Sequence, residues 1–113
     1  MTIPQTVVEL PEFLRRAKAI MTDDERTALV DFVAAYPEAG VSLGGGLCKL
    51  RFARPGGGKS GGYRIVYVWG GVEVPIFLVT VFAKNDKDNL SKAEQAELVA
   101  LSKELIAHYG DRS

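Results

Sequence analysis

Two glycines at positions 70 and 71 separate two strand-like runs, residues 62–69 (GYRIVYVW) and 74–82 (VPIFLVTVF). Paired glycines supply the backbone freedom that a tight hairpin needs, and β-branched and aromatic residues suit a pleated strand. The junction therefore predicts two neighbouring antiparallel strands. A third run, residues 47–54 (LCKLRFAR), precedes them across a glycine-rich connection. Three consecutive strands of this kind commit the chain to an antiparallel-rich sheet.

The flanks read as helices. A short strand is predicted at residues 6–10, and Pro11 then suits the first position of a helix. Phe13, Leu14, Ala17, Ile20 and Met21 fall on one helical face. Thr22-Asp23-Asp24-Glu25 has the form of a capping box and predicts a second helix with Leu29, Val30, Val33 and Tyr36 inward, ended by Pro37. Residues 40–46 read as a loop, and residues 83–90 as a polar one. Ser91-Lys92-Ala93-Glu94 is a second capping box, opening a last helix with Leu98, Leu101, Leu105 and Tyr109 on its inner face and Gly110 as its stop. The predicted order is β-α-α-β-β-β-α, an α+β fold with helices on one side of the sheet. The 113 residues form one predicted domain, 1–113, with neither a repeat nor a linker.

Composition removes several function classes. The longest apolar runs are too short to span a bilayer, and no segment has the order of a signal peptide, so cytoplasm and no membrane contact are expected. Cys48 is the only cysteine and His108 the only histidine. Together they cannot form a usual zinc site, so no metal and no cofactor are expected. Cys48 lies inside a strand pattern and is expected to be a buried, inert thiol. The stretch GGGKS, residues 56–60, looks like part of a phosphate-binding loop, but the required earlier glycine position holds Ala53. The segment that follows is also a strand, where such a loop needs a helix N-terminus. The glycines read instead as a flexible connection with Lys59 at its tip.

Net charge is zero, yet the charges are segregated. Residues 1–38 carry seven acids and four bases, and residues 73–113 seven acids and five bases. Residues 39–72 carry Lys49, Arg51, Arg54, Lys59 and Arg64 and no acid. A solubilising surface mixes signs, so an unmixed block of five cations points to a local anion site. Strand alternation places Lys49 and Arg51 on one face, with Leu50 and Phe52 on the other. On the next strand Arg64 shares its face with Val66 and Val68, opposite Tyr63, Ile65 and Tyr67. Lys84 follows the third strand directly. Neighbouring strands would bring Lys49, Arg51, Arg64 and Lys84 to one end of the sheet, with Arg54 and Lys59 on an overhanging loop. Tyr63 and Tyr67 are candidates to stack on unpaired bases, with core packing the competing reading, favoured for Tyr67.

These residues carry a resemblance. CKLRFARPGGGKSGGYRIVY (residues 48–67), AKNDKDNLS (83–91) and VVELPEF (7–13) are similar to the RelE/HigB superfamily of type II toxins, and within it to the HigB-2-like branch. The resemblance implies a ribosome-dependent mRNA endoribonuclease (an mRNA interferase) that blocks translation. It implies neutralisation by a cognate antitoxin, commonly a helix-turn-helix protein, through which alone operator DNA would be contacted. By position it maps catalytic cations onto Lys49, Arg51, Arg64 and Lys84, with Lys59 part of the branch's own signature. Arg54, Tyr63 and Asn85 are the expected RNA contacts. A tyrosine that some relatives carry after the last strand has no counterpart here, since none lies between Tyr67 and Tyr109. Arg51 also replaces a lysine found in some relatives, and arginine does not titrate.

Such a cluster can cleave RNA without a metal. The 2′-hydroxyl attacks the adjacent phosphorus, the 5′-oxygen leaves, and cations stabilise the phosphorane. A lysine crowded by like charges gives up its proton more readily, which makes Lys49 the first candidate for proton transfer and Lys59 the second. Arg51 and Arg64 suit the phosphate. The competing expectation is a non-catalytic module that only binds nucleic acid or an antitoxin. It predicts salt-dependent binding and no cleaved product.

Overall fold

The computed structural model describes residues 5–53, 62–84 and 89–110. The elements are β1 (Val7–Glu9), α1 (Pro11–Ile20), α2 (Asp23–Ala35), β2 (Val41–Gly44), β3 (Leu47–Phe52), β4 (Tyr63–Val68), β5 (Ile76–Ala83) and α3 (Lys92–Gly110). They build one five-stranded sheet in the order β1-β5-β4-β3-β2. β1 runs parallel to β5, and every other pair is antiparallel. The predicted α+β order is present with one strand added. β2 falls inside residues 40–46, where four glycines hid it; Gly44, Gly45 and Gly46 take positive φ values of 103°, 63° and 89° to make its turn into β3.

Both predicted capping boxes form. The Thr22 hydroxyl accepts from the Glu25 amide at 3.1 Å while the Glu25 carboxylate accepts from the Thr22 amide at 2.8 Å. Ser91 and Glu94 repeat the arrangement at 3.1 and 2.8 Å. Each box satisfies two amides that a bare helix start would leave without partners.

Contrary to the expectation from sequence that all helices share one side of the sheet, they cover both faces. Phe13, Ala17, Met21, Leu29 and Val33 of the α1–α2 hairpin pack with Cys48, Leu50, Tyr63, Ile65 and Tyr67 on one face. On the other face Leu98, Leu101, Leu105 and Tyr109 of α3 pack on Leu47, Val66, Val68, Phe77 and Val79. The reason is in the central strands. All six residues of β4 are buried, and so are seven of the eight in β5. A strand apolar in both phases needs cover on both faces. Tyr36 is a second correction: it is 60% exposed and meets Phe32 at a ring separation of 5.3 Å instead of entering the core.

The link from β4 to β5 is also longer than the predicted tight hairpin, spanning residues 69–75. Gln5 holds it, donating to the carbonyls of Gly71 and Val74 at 2.7 and 2.5 Å and accepting from the Trp69 indole at 3.3 Å. Between β4 and β5 the register shifts. Val66 pairs with Thr80 and Tyr67 with Leu78, leaving Val79 as an extra residue. This bulge resets the alternation of β5, so that Leu78 and Val81, three apart, both reach the α1–α2 core.

Cys48 is buried, as expected, and burial pushes its thiol pKa up. Beside it, the Tyr67 hydroxyl donates to the Pro37 carbonyl at 2.6 Å and accepts from the Gly40 amide at 3.0 Å. Burial first, and the neighbouring Cys48 second, push the Tyr67 phenol up to about 12. The folded protein thus favours the neutral phenol more strongly than the unfolded chain does. Its stabilising contribution is complete below the ordinary tyrosine value near ~10 and is lost as pH rises from there towards about 12. Urea titrations between pH 8 and 12 are expected to show stability falling above pH ~10 in the wild type. Tyr67→Phe, with nothing to ionise there, should flatten that fall.

Candidate active site

The cations stand on the α3 side of the sheet. Leu47, Lys49 and Arg51 alternate with Cys48 and Leu50 along β3, and since Leu47 belongs to the α3 core and Cys48 and Leu50 to the α1–α2 core, Lys49 and Arg51 project on the α3 face. On β4 the same alternation puts Arg64 with Val66 and Val68. The antiparallel register sets Arg51 directly opposite Arg64 and Lys49 opposite Val66. Directly opposed residues have Cα atoms about 5 Å apart, so two guanidinium-bearing chains leave neighbouring points of one surface. Like charges in that position destabilise a sheet by some tenths of a kcal/mol.

The positions differ in exposure. Arg64 is 7% exposed and Phe82 lies across from it on β5, whereas Arg51 and Lys84 are exposed and Lys49 is half-buried. Lys84 occupies the turn directly after β5, its amide donating to the Gly62 carbonyl at 3.3 Å. That bond fixes the end of β5 next to the start of β4. A nearly buried guanidinium beside exposed cations is suited to an anion. The exposed groups attract it, and the one shielded from water interacts with it at a lower local dielectric.

The Lys49 ammonium donates to Asn89 Oδ1 at 2.8 Å. Asn89 was not among the sequence candidates. The signal that could have found it is its place two residues before the Ser91 capping box, which ties the residues around it to the start of α3. The nearby sequence candidate Asn85 lies outside the described residues, as do Arg54 and Lys59.

Tyr63 requires a correction. It is 2% exposed, on the face opposite the cations, and its hydroxyl donates to the Ile20 carbonyl at 3.0 Å with the Glu25 carboxylate also at 3.0 Å. It ties β4 to the α1–α2 junction and offers no ring to a base. Tyr67 is fully buried on the same face. Sequence adjacency to Arg64 was misleading because successive strand residues point in opposite directions.

Among the described residues no group of three or more His, Cys, Asp or Glu side chains could hold a metal ion, and no helix is long and apolar enough to cross a membrane. The arrangement is a cationic surface of planar and point charges, two of them facing each other across a ladder. It can hold a phosphodiester and stabilise added negative charge on it. A family model described as the RelE toxin of the RelE / RelB toxin-antitoxin system matches residues 10–112.

Proposed function

Because the chain belongs to the RelE toxin family of toxin–antitoxin systems, we propose that it is a ribosome-dependent endoribonuclease of the HigB-2-like branch, cutting mRNA at the cationic face of β3 and β4. The observation that carries this reading is the Arg51–Arg64 pair, opposed across the two strands on the face that Lys49 shares. Two guanidinium groups a strand apart suit the two non-bridging oxygens of one phosphodiester.

In this reading the RNA 2′-hydroxyl forms a bond to the adjacent phosphorus, and the bond from phosphorus to the 5′-oxygen breaks. Lys49 takes the 2′ proton as a neutral amine. Arg64 and Arg51 stabilise the dianionic phosphorane between these events. An ammonium, for which Lys84 is the described candidate, returns a proton to the departing oxygen. The products are a 2′,3′-cyclic phosphate and a 5′-hydroxyl end. A site without histidine or carboxylate is a modest acid–base machine, so the ribosome supplies the alignment of the hydroxyl with the leaving oxygen.

Family membership implies a RelB-type antitoxin as partner. We assign to it the cover of the basic face through acidic residues, and the only contact with operator DNA, made in this branch by a helix-turn-helix domain. Residues 1–113 would act as one domain, in the cytoplasm where ribosomes are.

The test is induced expression of the chain alone in a bacterial host, with mRNA ends mapped by primer extension, and incubation of purified protein with mRNA in the presence and absence of ribosomes. Growth arrest with new 5′-hydroxyl ends that require ribosomes is the expected result. Salt-sensitive RNA binding with no new ends would replace the nuclease with a binding module.

A further inference from the structure

We infer that Asn89 is a positioning residue that holds the Lys49 amine for proton transfer, an inference that rests on the nuclease reading above. Lysine ends a flexible four-carbon stem and gives up much rotamer freedom when fixed. On β3 the side chain stands beside Arg51 on its own strand, faces Val66 on β4 and Val41 on β2, and has Arg64 diagonally across. None of these offers an acceptor. Among the described residues an acceptor comes from 40 residues further along the chain, where Asn89 Oδ1 receives the ammonium at 2.8 Å.

Three features make this a directed contact. First, the same oxygen accepts from the Leu90 amide at 2.9 Å. Both partners are donors, so the network requires the carbonyl oxygen there and fixes the orientation of the amide. Second, the segment is anchored. Leu90 packs into the α3 core, and Ser91 and Glu94, one residue later, close the capping box of α3. The charged residues at that helix start are Lys92 and Glu94, the latter engaged with Ser91. The position of Lys49 is thereby tied to the helix N-terminus.

Third, the chemistry selects asparagine. A residue that accepts a proton alternates between ammonium and amine, and both forms carry N–H donors. A neutral carbonyl oxygen holds either form, whereas a carboxylate would favour the charged one and resist its conversion to a base.

The experiment compares wild type, Asn89→Ala and Asn89→Asp in two readouts. The first is ribosome-dependent cleavage as a function of pH. Asn89→Ala is expected to be slower by about ten- to a hundredfold at unchanged Tm, as befits lost positioning. Asn89→Asp should shift the rising limb of the profile to higher pH by about one unit, because a carboxylate beside the ammonium favours its charged form. The second is NMR titration of the Lys49 side chain in the free protein, where the Asn89→Asp midpoint should lie above that of Asn89→Ala. Variants that match wild type in rate and profile overturn the inference, and so does a rate loss that merely tracks a fall in Tm. Identical Lys49 midpoints overturn it independently of catalysis. A wild-type chain that cleaves nothing refutes the nuclease reading instead, and the titration alone then decides whether Asn89 holds the lysine.

Discussion

Arg64→Ala is expected to abolish growth arrest and to lower ribosome-dependent cleavage by about 100- to 1,000-fold, the size of effect seen when one preorganised donor to a developing anion is removed. The reasoning starts from burial. Arg64 is 7% exposed, opposite Arg51 on one side and Phe82 on the other. A guanidinium shielded this far from water costs stability in its charged form, and it interacts more strongly with an anion brought beside it than a solvated one does. Arg51, exposed on the neighbouring strand, is more screened, so Arg51→Ala should cost less, on the order of tenfold. Arg64→Lys should recover only part of the loss, because an ammonium keeps the charge but not the planar two-point grip.

Stability separates a lost role from a lost fold. Removing Arg64 relieves its repulsion with Arg51, a gain of some tenths of a kcal/mol. It also removes the packing of a buried aliphatic stem, a loss on the order of 2 kcal/mol for its three methylenes. The net loss should be about 2 kcal/mol, so Tm falls but the variant is expected to remain folded at the assay temperature, which a thermal melt checks. Growth, primer extension and the melt together decide the matter. A folded Arg64→Ala protein that still arrests growth with the same mRNA ends would remove Arg64 from the site.

The sequence carried these features unequally, for physical reasons. Helix starts were legible because a capping box is a local device: Thr22 with Glu25 and Ser91 with Glu94 need nothing beyond four residues of chain. The shared face of Lys49, Arg51 and Arg64 follows from strand alternation once β3 and β4 pair. β2 was hidden because its turn is made of glycines that also suit a loop. The Val79 bulge has no composition of its own, and it breaks the alternation on which face assignments rest. The placement of α3 on the second face was implicit in the apolar run of β5, interrupted only by Thr80, yet periodicity cannot say which helix covers which face. The burial of Tyr63 opposite Arg64 follows from the same alternation, whereas its aromatic character alone fits a base platform and a core equally well. Asn89 could not be found by periodicity at all, since its contact with Lys49 closes only when the start of α3 folds back to the sheet.

The second large effect is expected on the other face of the same strand. Ile65 is fully buried between Leu50 on β3 and Val81 on β5, with Phe13, Ala17 and Leu29 in the same core. β4 is the central strand, so the space left by Ile65→Ala is walled by a strand on each side and by the helical hairpin above, and can collapse little. The expected cost is about 3 kcal/mol, the sum of lost transfer energy and an unfilled cavity. For a domain of ordinary stability that is a large fraction of the total, and Tm should fall by roughly 10–15 °C. Ile65→Val, which leaves a smaller gap, should cost about 1 kcal/mol. Neighbouring side chains on a strand point to opposite faces, so Ile65 has no part in the cationic surface that Arg64 enters. At a temperature where Ile65→Ala is still folded, its cleavage per molecule should therefore match wild type, while Arg64→Ala should be folded and inactive. Calorimetry and cleavage measured on the same two proteins test this crossing. If Ile65→Ala melts like wild type, the helix-facing core has been misplaced. If it loses cleavage while folded, β4 does not keep its two faces separate, and the site must extend through the sheet.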